Sequence, residues 1–180
     1  MSICPVPHTA REKAWLGIGM VTGVVTGAAI ARAMAARSSS VNIQTPKRVF
    51  KLCVAKELAE FEASGKICSS LDATDGFIHL SDRTSPPKVA NLFFTGATDL
   101  WLLEVDASRL TGRVQWVVGI MGDAPPSGST LAASATTVHY LMADGCVHVY
   151  GSSGVSMNAV VRRAKVPLGK DGVHVMPEWL

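Results

Sequence analysis

A histidine and a hydroxyl two residues apart inside an apolar run are the first residues of this chain that could do chemistry. They lie in Asp75-Gly76-Phe77-Ile78-His79-Leu80-Ser81. Asp-Gly suits a tight turn that needs positive φ, and the apolar residues after it suit a short buried strand. Strand alternation puts Phe77, His79 and Ser81 on one face and Ile78 and Leu80 on the other. A ring that can donate, accept and titrate therefore shares a face with a hydroxyl. A lone histidine in an apolar strand is more often a hydrogen-bonded core residue than a catalyst, and the neighbouring hydroxyl tips the reading toward a site.

Three further groups carry possible chemistry. His148 and Tyr150 stand two apart, on one face of a strand, as a hydrogen-bonding imidazole and a ring that could stack on a ligand. Gly151 after them would let a backbone approach a ligand closely. Glu104 closes the run Leu100-Trp101-Leu102-Leu103, where a carboxylate needs a partner or a place at the rim. Structural pairing with Arg113 or Arg162 competes there with a catalytic role. Arg162, Arg163 and Lys165 offer charge for a phosphate, against the plainer reading of solvated strand residues. No phosphate loop, nucleophile elbow or paired-histidine zinc helix occurs, so hydrolase and zinc-enzyme readings have no positive support.

The elements that must position these residues follow from pattern. Val49 to Val54 alternates as a strand, and Ala55 to Ser64 reads as a helix stopped by Gly65. Lys66 to Thr74 reads as loop. Ser85 with Pro86 reads as a helix start, and Gly96 as that helix's end. Leu100 to Val105 is a strong buried strand, and Val114 to Ile120 a weaker one. Gly122 to Ser134, rich in Gly, Pro, Ser and Ala, looks like a mobile stretch within an insertion at about 117–144. Strands are expected over Thr136 to Met142, Val147 to Tyr150, Asn158 to Val166 and Val173 to Val175, the last after a hairpin turn at Lys170-Asp171-Gly172. Short strands with two or three helices, without regular β-α-β alternation, predict an α+β domain over 48–177.

At 180 residues the chain is long enough for one domain with a real core. A net charge of +3 is too small to argue for nucleic acid, and few aromatics argue against a base-stacking platform. Cys4, Cys53, Cys68 and Cys146 form no C-x-x-C pair and no metal-ligand spacing with histidine. Free thiols and no metal are expected.

Residues 1–13 are an irregular tail, 14–34 a hydrophobic helix and 35–47 a small, polar linker. Ala14 to Ala31 carries no charge and as a helix spans about 27 Å, enough for a thin bilayer core. Gly19, Gly23 and Gly27 recur on one face, a spacing that permits helix–helix self-association in lipid. Two basic residues precede the span and five follow by Lys51, which places the C-terminal domain on the cytosolic side of a single-pass membrane protein. A mitochondrial presequence and a secretory signal are the competing readings.

The motif around His79 resembles the signature of the domain of unknown function 952 family, proteins built around a DGFIHLS-type motif. The likeness runs from Val49 to Pro177. It includes Phe50-Lys51-Leu52, Asp75 to Ser81, Leu100 to Asp106, Val147-His148-Val149-Tyr150-Gly151, and Val166 to Gly172. The resemblance implies a fold like that of the ADP-ribosyltransferases, which includes RNA 2′-phosphotransferases, and hence NAD or an ADP-ribose-type nucleotide as ligand. It places His79 where that fold contacts the ribose of the NAD adenosine. Ser81, His148 and Tyr150 would complete the pocket, with Glu104 as the acid beside the ribose. Family members tend to carry a Trp-Glu pair in mid-domain, where this chain has Trp116-Val117. A non-catalytic, membrane-anchored adaptor is the alternative.

Overall fold

Strand β1 (Arg48–Val54) is apolar at five of its seven positions and buried along most of its length, which marks it as an interior strand. The computed structural model describes residues 44–180, so the hydrophobic segment 14–34 and its glycine repeat lie outside the described residues. After β1 come α1 (Ala55–Ser64), β2 (Lys66–Ile67), α2 (Ser70–Asp75), β3 (Ile78–Ser81) and α3 (Pro86–Phe93). Then follow β4 (Leu100–Asp106), β5 (Val114–Gly119), β6 (Thr136–Leu141), β7 (Cys146–Tyr150), β8 (Val155–Ser156) and β9 (Val160–Lys165). The architecture is α+β, mostly strand with few helices.

Seven strands form one sheet in the order β5-β6-β7-β3-β1-β4-β9. Every neighbouring pair is antiparallel except β5 and β6. β1 and β4 pair along their full length, whereas β1 and β3 meet only at Phe50 and Ser81. The sheet therefore opens between these two strands on the N-terminal side of Ser81. One core lies on the face carrying Val49, Ile78, Leu103 and Val149, covered by Leu58 and Phe61 of α1. The second lies on the face carrying Phe50, Leu52 and Leu102, covered by Ala90 of α3 and by Trp179 and Leu180 near the C-terminus.

Local sequence explains most helix ends. The Glu57 carboxylate accepts from the Val54 N–H at the start of α1, and Gly65 ends it in the left-handed region. Pro86 opens α3 as expected, but the Ser85 hydroxyl donates to Asp144 O (2.6 Å) instead of capping the helix. That helix ends at Phe93, before Gly96.

Three expectations need correction. Lys66 to Thr74 is not loop, because it holds β2 and α2. Asn158 to Val166 begins with a 3-10 turn at Met157–Ala159, and its strand is only Val160–Lys165. Val173 to Val175 forms no strand. The turn at 170–172 is present, but a single bridge joins Leu168 to His174, and two exposed valines give too little burial to extend it. The stretch 117–144 contains the end of β5, an irregular loop and β6, with Leu131 packed against the first core. Among the described residues no helix is long and apolar enough to cross a membrane.

Candidate functional site

The site begins with a helix too short to stand alone. Ser69 caps α2 by accepting from the Asp72 N–H (3.2 Å), and Asp72 Oδ2 accepts from the Ser69 N–H (2.8 Å). Gly76, at φ +81°, then turns the chain into β3. This reciprocal cap aims a fully buried carboxylate into the opening between β1 and β3. Asp72 Oδ1 accepts from the backbone N–H of His79 (2.9 Å) and lies 2.8 Å from its Nδ1. Lys51 of β1, itself buried, donates to both Asp72 oxygens at 2.9 and 2.7 Å. The carboxylate thus takes up a strand N–H that no β1 carbonyl reaches. Burial alone would push the Asp72 carboxyl up. Hydrogen bonds from His79 and the Lys51 ammonium outweigh it and hold the group well below the usual carboxylate range.

His79 is fixed from both sides, since its Nε2 stands 3.3 Å from Asp75 Oδ2. Strand register places His79 opposite His148, and His148 opposite His139 of β6, so three imidazoles cross the sheet in a row. The Phe77 ring joins the group, with centroids 4.4 Å from His79, 4.1 Å from His148 and 5.4 Å from Tyr150. His79 and His148 meet edge-on at 5.7 Å. His148 keeps some exposure to solvent, but its surroundings are mostly rings and strand. Burial and the neighbouring imidazoles push its pKa down to about 3, so it is neutral at physiological pH. Burial pushes the Tyr150 phenol up. Among the described residues no hydrogen bond reaches the ring nitrogens of His148 or the Tyr150 hydroxyl.

Of the residues singled out from sequence, His79, His148 and Tyr150 therefore share one face and one cluster. Ser81 does not join it. It is buried farther along β3 beside Phe50 and Cys146, without a hydrogen bond from its hydroxyl among the described residues. Glu104 stands apart too, two strands or about 10 Å across the sheet from β3. Its carboxylate faces Arg48 Nε (3.5 Å) and Arg162 Nε (3.2 Å), so structural pairing prevails, with Arg162 and not Arg113. Gly151 makes room for its own chain rather than a ligand: a Cβ there would stand 2.8 Å from Ala135 O. Arg163 pairs with Glu62, and Lys165 lies 5.6 Å from the Trp101 ring centroid.

Sequence reasoning missed Asp72 and passed over Lys51 and His139. The spacing Ser69-x-x-Asp72 is a capping-box signal and could have revealed α2 and its inward carboxylate. Cys53, Cys68 and Cys146 are free, and burial pushes the thiols of Cys53 and Cys146 up to about 12, which leaves them unreactive near neutrality. No group of three or more candidate metal ligands is assembled among the described residues.

The fold and its imidazole-lined face define a small α+β domain with a split, mainly antiparallel sheet. The sequence profile of the family described as Protein of unknown function (DUF952) matches residues 52–163, and the chain belongs to that family. The crystal structure of protein CC0527 from Caulobacter crescentus is similar at 25% identity and a TM-score of 0.50, covering 71% of this chain and 93% of that one. The crystal structure of a double mutant of the same Caulobacter protein is similar at 24% identity, with the same TM-score and coverage. No curated protein matches the chain.

Proposed function

We propose that this domain is a binding module for a nucleotide of the NAD or ADP-ribose type, carried on the face formed by Phe77, His79, His148 and Tyr150. One observation carries the reading: a neutral imidazole and a phenol, both without hydrogen-bond partners among the described residues, surround an aromatic ring beside a histidine held by Asp72 and Asp75. Phe77, His79 and His148 keep partial exposure there, with buried Tyr150 behind them, so the face can stack a base or nicotinamide ring and still offer imidazole nitrogens to a ribose. The nucleotide class rests on the expectation, from the sequence resemblance, of a fold like that of the ADP-ribosyltransferases. Residues 14–34 would anchor the module to a membrane.

Binding is favoured over transfer. An ADP-ribosyl transfer needs a carboxylate beside the ribose, but Glu104 is held between two arginines and lies away from the cluster. Trp116-Val117 also lacks the glutamate of the Trp-Glu pair. Calorimetric titration of the full chain with NAD and with ADP-ribose tests the reading, beside His79→Ala. Saturable heat that the variant weakens by at least about tenfold is expected from loss of the anchored ring. No heat from either ligand with a folded protein would favour the adaptor.

A further inference from the structure

A cavity of about 310 Å³ opens beyond the far end of β3, lined by Lys47, Arg48, Phe50, Asp82, Arg83 and Tyr140, among others. Its volume lies at the lower end for small-molecule sites. We propose that this cavity binds a small phosphate-bearing molecule, with Lys47 and Arg83 as its principal contacts. The inference is independent of the nucleotide reading, since it concerns another place and other residues.

The hydrogen-bond inventory of the lining decides the ligand's charge. Asp82, its only carboxylate, has both oxygens engaged by neutral donors, so its single negative charge stands against the three cations of the lining: Oδ2 accepts from the Tyr140 hydroxyl (2.9 Å), and Oδ1 from the Thr84 N–H (2.8 Å) and hydroxyl (2.7 Å). Tyr140 and Thr84 thereby spend their donors inward. Arg83 is held through Nη2 to Trp179 O (2.6 Å) and faces no carboxylate among the described residues, so its remaining N–H groups are uncommitted. Lys47 makes no side-chain hydrogen bond or ion pair among those residues. Arg48 is oriented by Glu104 and by Asp106 (2.7 Å) and keeps donors to spare. What the cavity still offers is donors on cations, beside the rings of Phe50 and Tyr140. That combination suits a phosphate carrying a short organic group. A soluble phosphate ester and the headgroup of an anionic lipid share this chemistry. The lipid source is worth testing because Lys47 and Arg48 stand at the end of the linker behind the hydrophobic segment.

The test follows the guanidinium resonances of Arg83 and Arg48 in the full chain labelled with ¹⁵N-arginine, at fixed ionic strength. One arm titrates the detergent-solubilised protein with inorganic phosphate and with glycerol 3-phosphate. The other compares nanodiscs of phosphatidylcholine with and without phosphatidic acid. A saturable shift is expected, weakened about tenfold or more by Lys47→Gln (read at Arg83) and by Arg83→Gln (read at Arg48), and unchanged by Lys170→Gln on a distant turn. Saturation by glycerol 3-phosphate assigns a soluble ester, and a response confined to phosphatidic acid assigns a headgroup. Shifts that never saturate in either arm, or that both cavity variants leave intact, overturn the proposal.

Discussion

At the residue scale, Asp72 is the group on which the site depends. It satisfies the His79 N–H, orients the His79 ring and neutralises a buried lysine. Asp72→Asn should destabilise the unit 45–180 by about 3–5 kcal/mol in urea denaturation, because the Lys51 ammonium stays buried without its counter-charge. His148 makes a second prediction, through pH. Its folded pKa of about 3 lies below its ordinary value of 6.5. The unfolded chain therefore takes up a proton first as pH falls. The stability tied to the neutral ring is complete above about 6.5 and is lost progressively toward 3. Unfolding free energies from urea denaturation between about pH 7 and about pH 5 should fall with a slope of up to about 1.4 kcal/mol per pH unit. His148→Phe, which keeps a ring against Phe77, should flatten that slope. Any slope that remains has a source in His139, whose pKa burial also pushes down. Asp72 adds its own loss only in the acid range, because its carboxyl is held low and must be protonated there.

At the element scale, the opening between β1 and β3 explains how a strand comes to carry a site. Strands paired along their length leave no room for a side chain to reach the backbone between them. Meeting only at Phe50 and Ser81, these two leave room for α2 to insert a carboxylate. The β7–β8 turn is the other constrained element. Gly151 sits at φ +127°, and a Cβ would meet Ala135 O at 2.8 Å and Thr136 Cα at 3.1 Å, both backbone atoms that cannot step aside. Gly151→Ala should cost about 2–3 kcal/mol in the same urea assay. Gly65→Ala, at φ +70° with nothing within 4 Å, should cost only about 1 kcal/mol, the conformational penalty alone. Equal losses at the two positions would contradict the crowding seen at Gly151.

At the scale of the whole molecule, the sheet divides its tasks. The half made of β5, β6, β7 and β3 carries the row of imidazoles, while β1, β4 and β9 carry ion pairs and the second core. Glu104, with Arg48, Arg162 and Asp106, belongs to that second half as structural glue. The calorimetric test of His79→Ala therefore reads the first half alone, and the phosphate titration reads the end of the sheet where the halves meet. Loss of one binding activity without the other is expected from this separation. The proposed membrane anchor, residues 14–34, lies outside the described residues.

Sequence by itself determined the α+β class, the family motif and the common face of His148 and Tyr150 within their own strand, because period-two alternation and short-range turn chemistry are local rules. It also determined α1 and the strong strand β4, whose apolar patterns are unambiguous. The register of β3 against β7 and β6, which lines up His79, His148 and His139, was decided only in three dimensions, since pairing partners lie far apart along the chain. So was the role of Asp72, a polar residue in a short helix that the composition of 66–74 disguised as loop. Glu104 shows the same limit in reverse. A carboxylate in a buried strand reads equally as acid or ion-pair partner until the neighbouring strands bring Arg48 and Arg162 against it. A charge's function is set by what desolvates and pairs it, and that is a property of the tertiary structure.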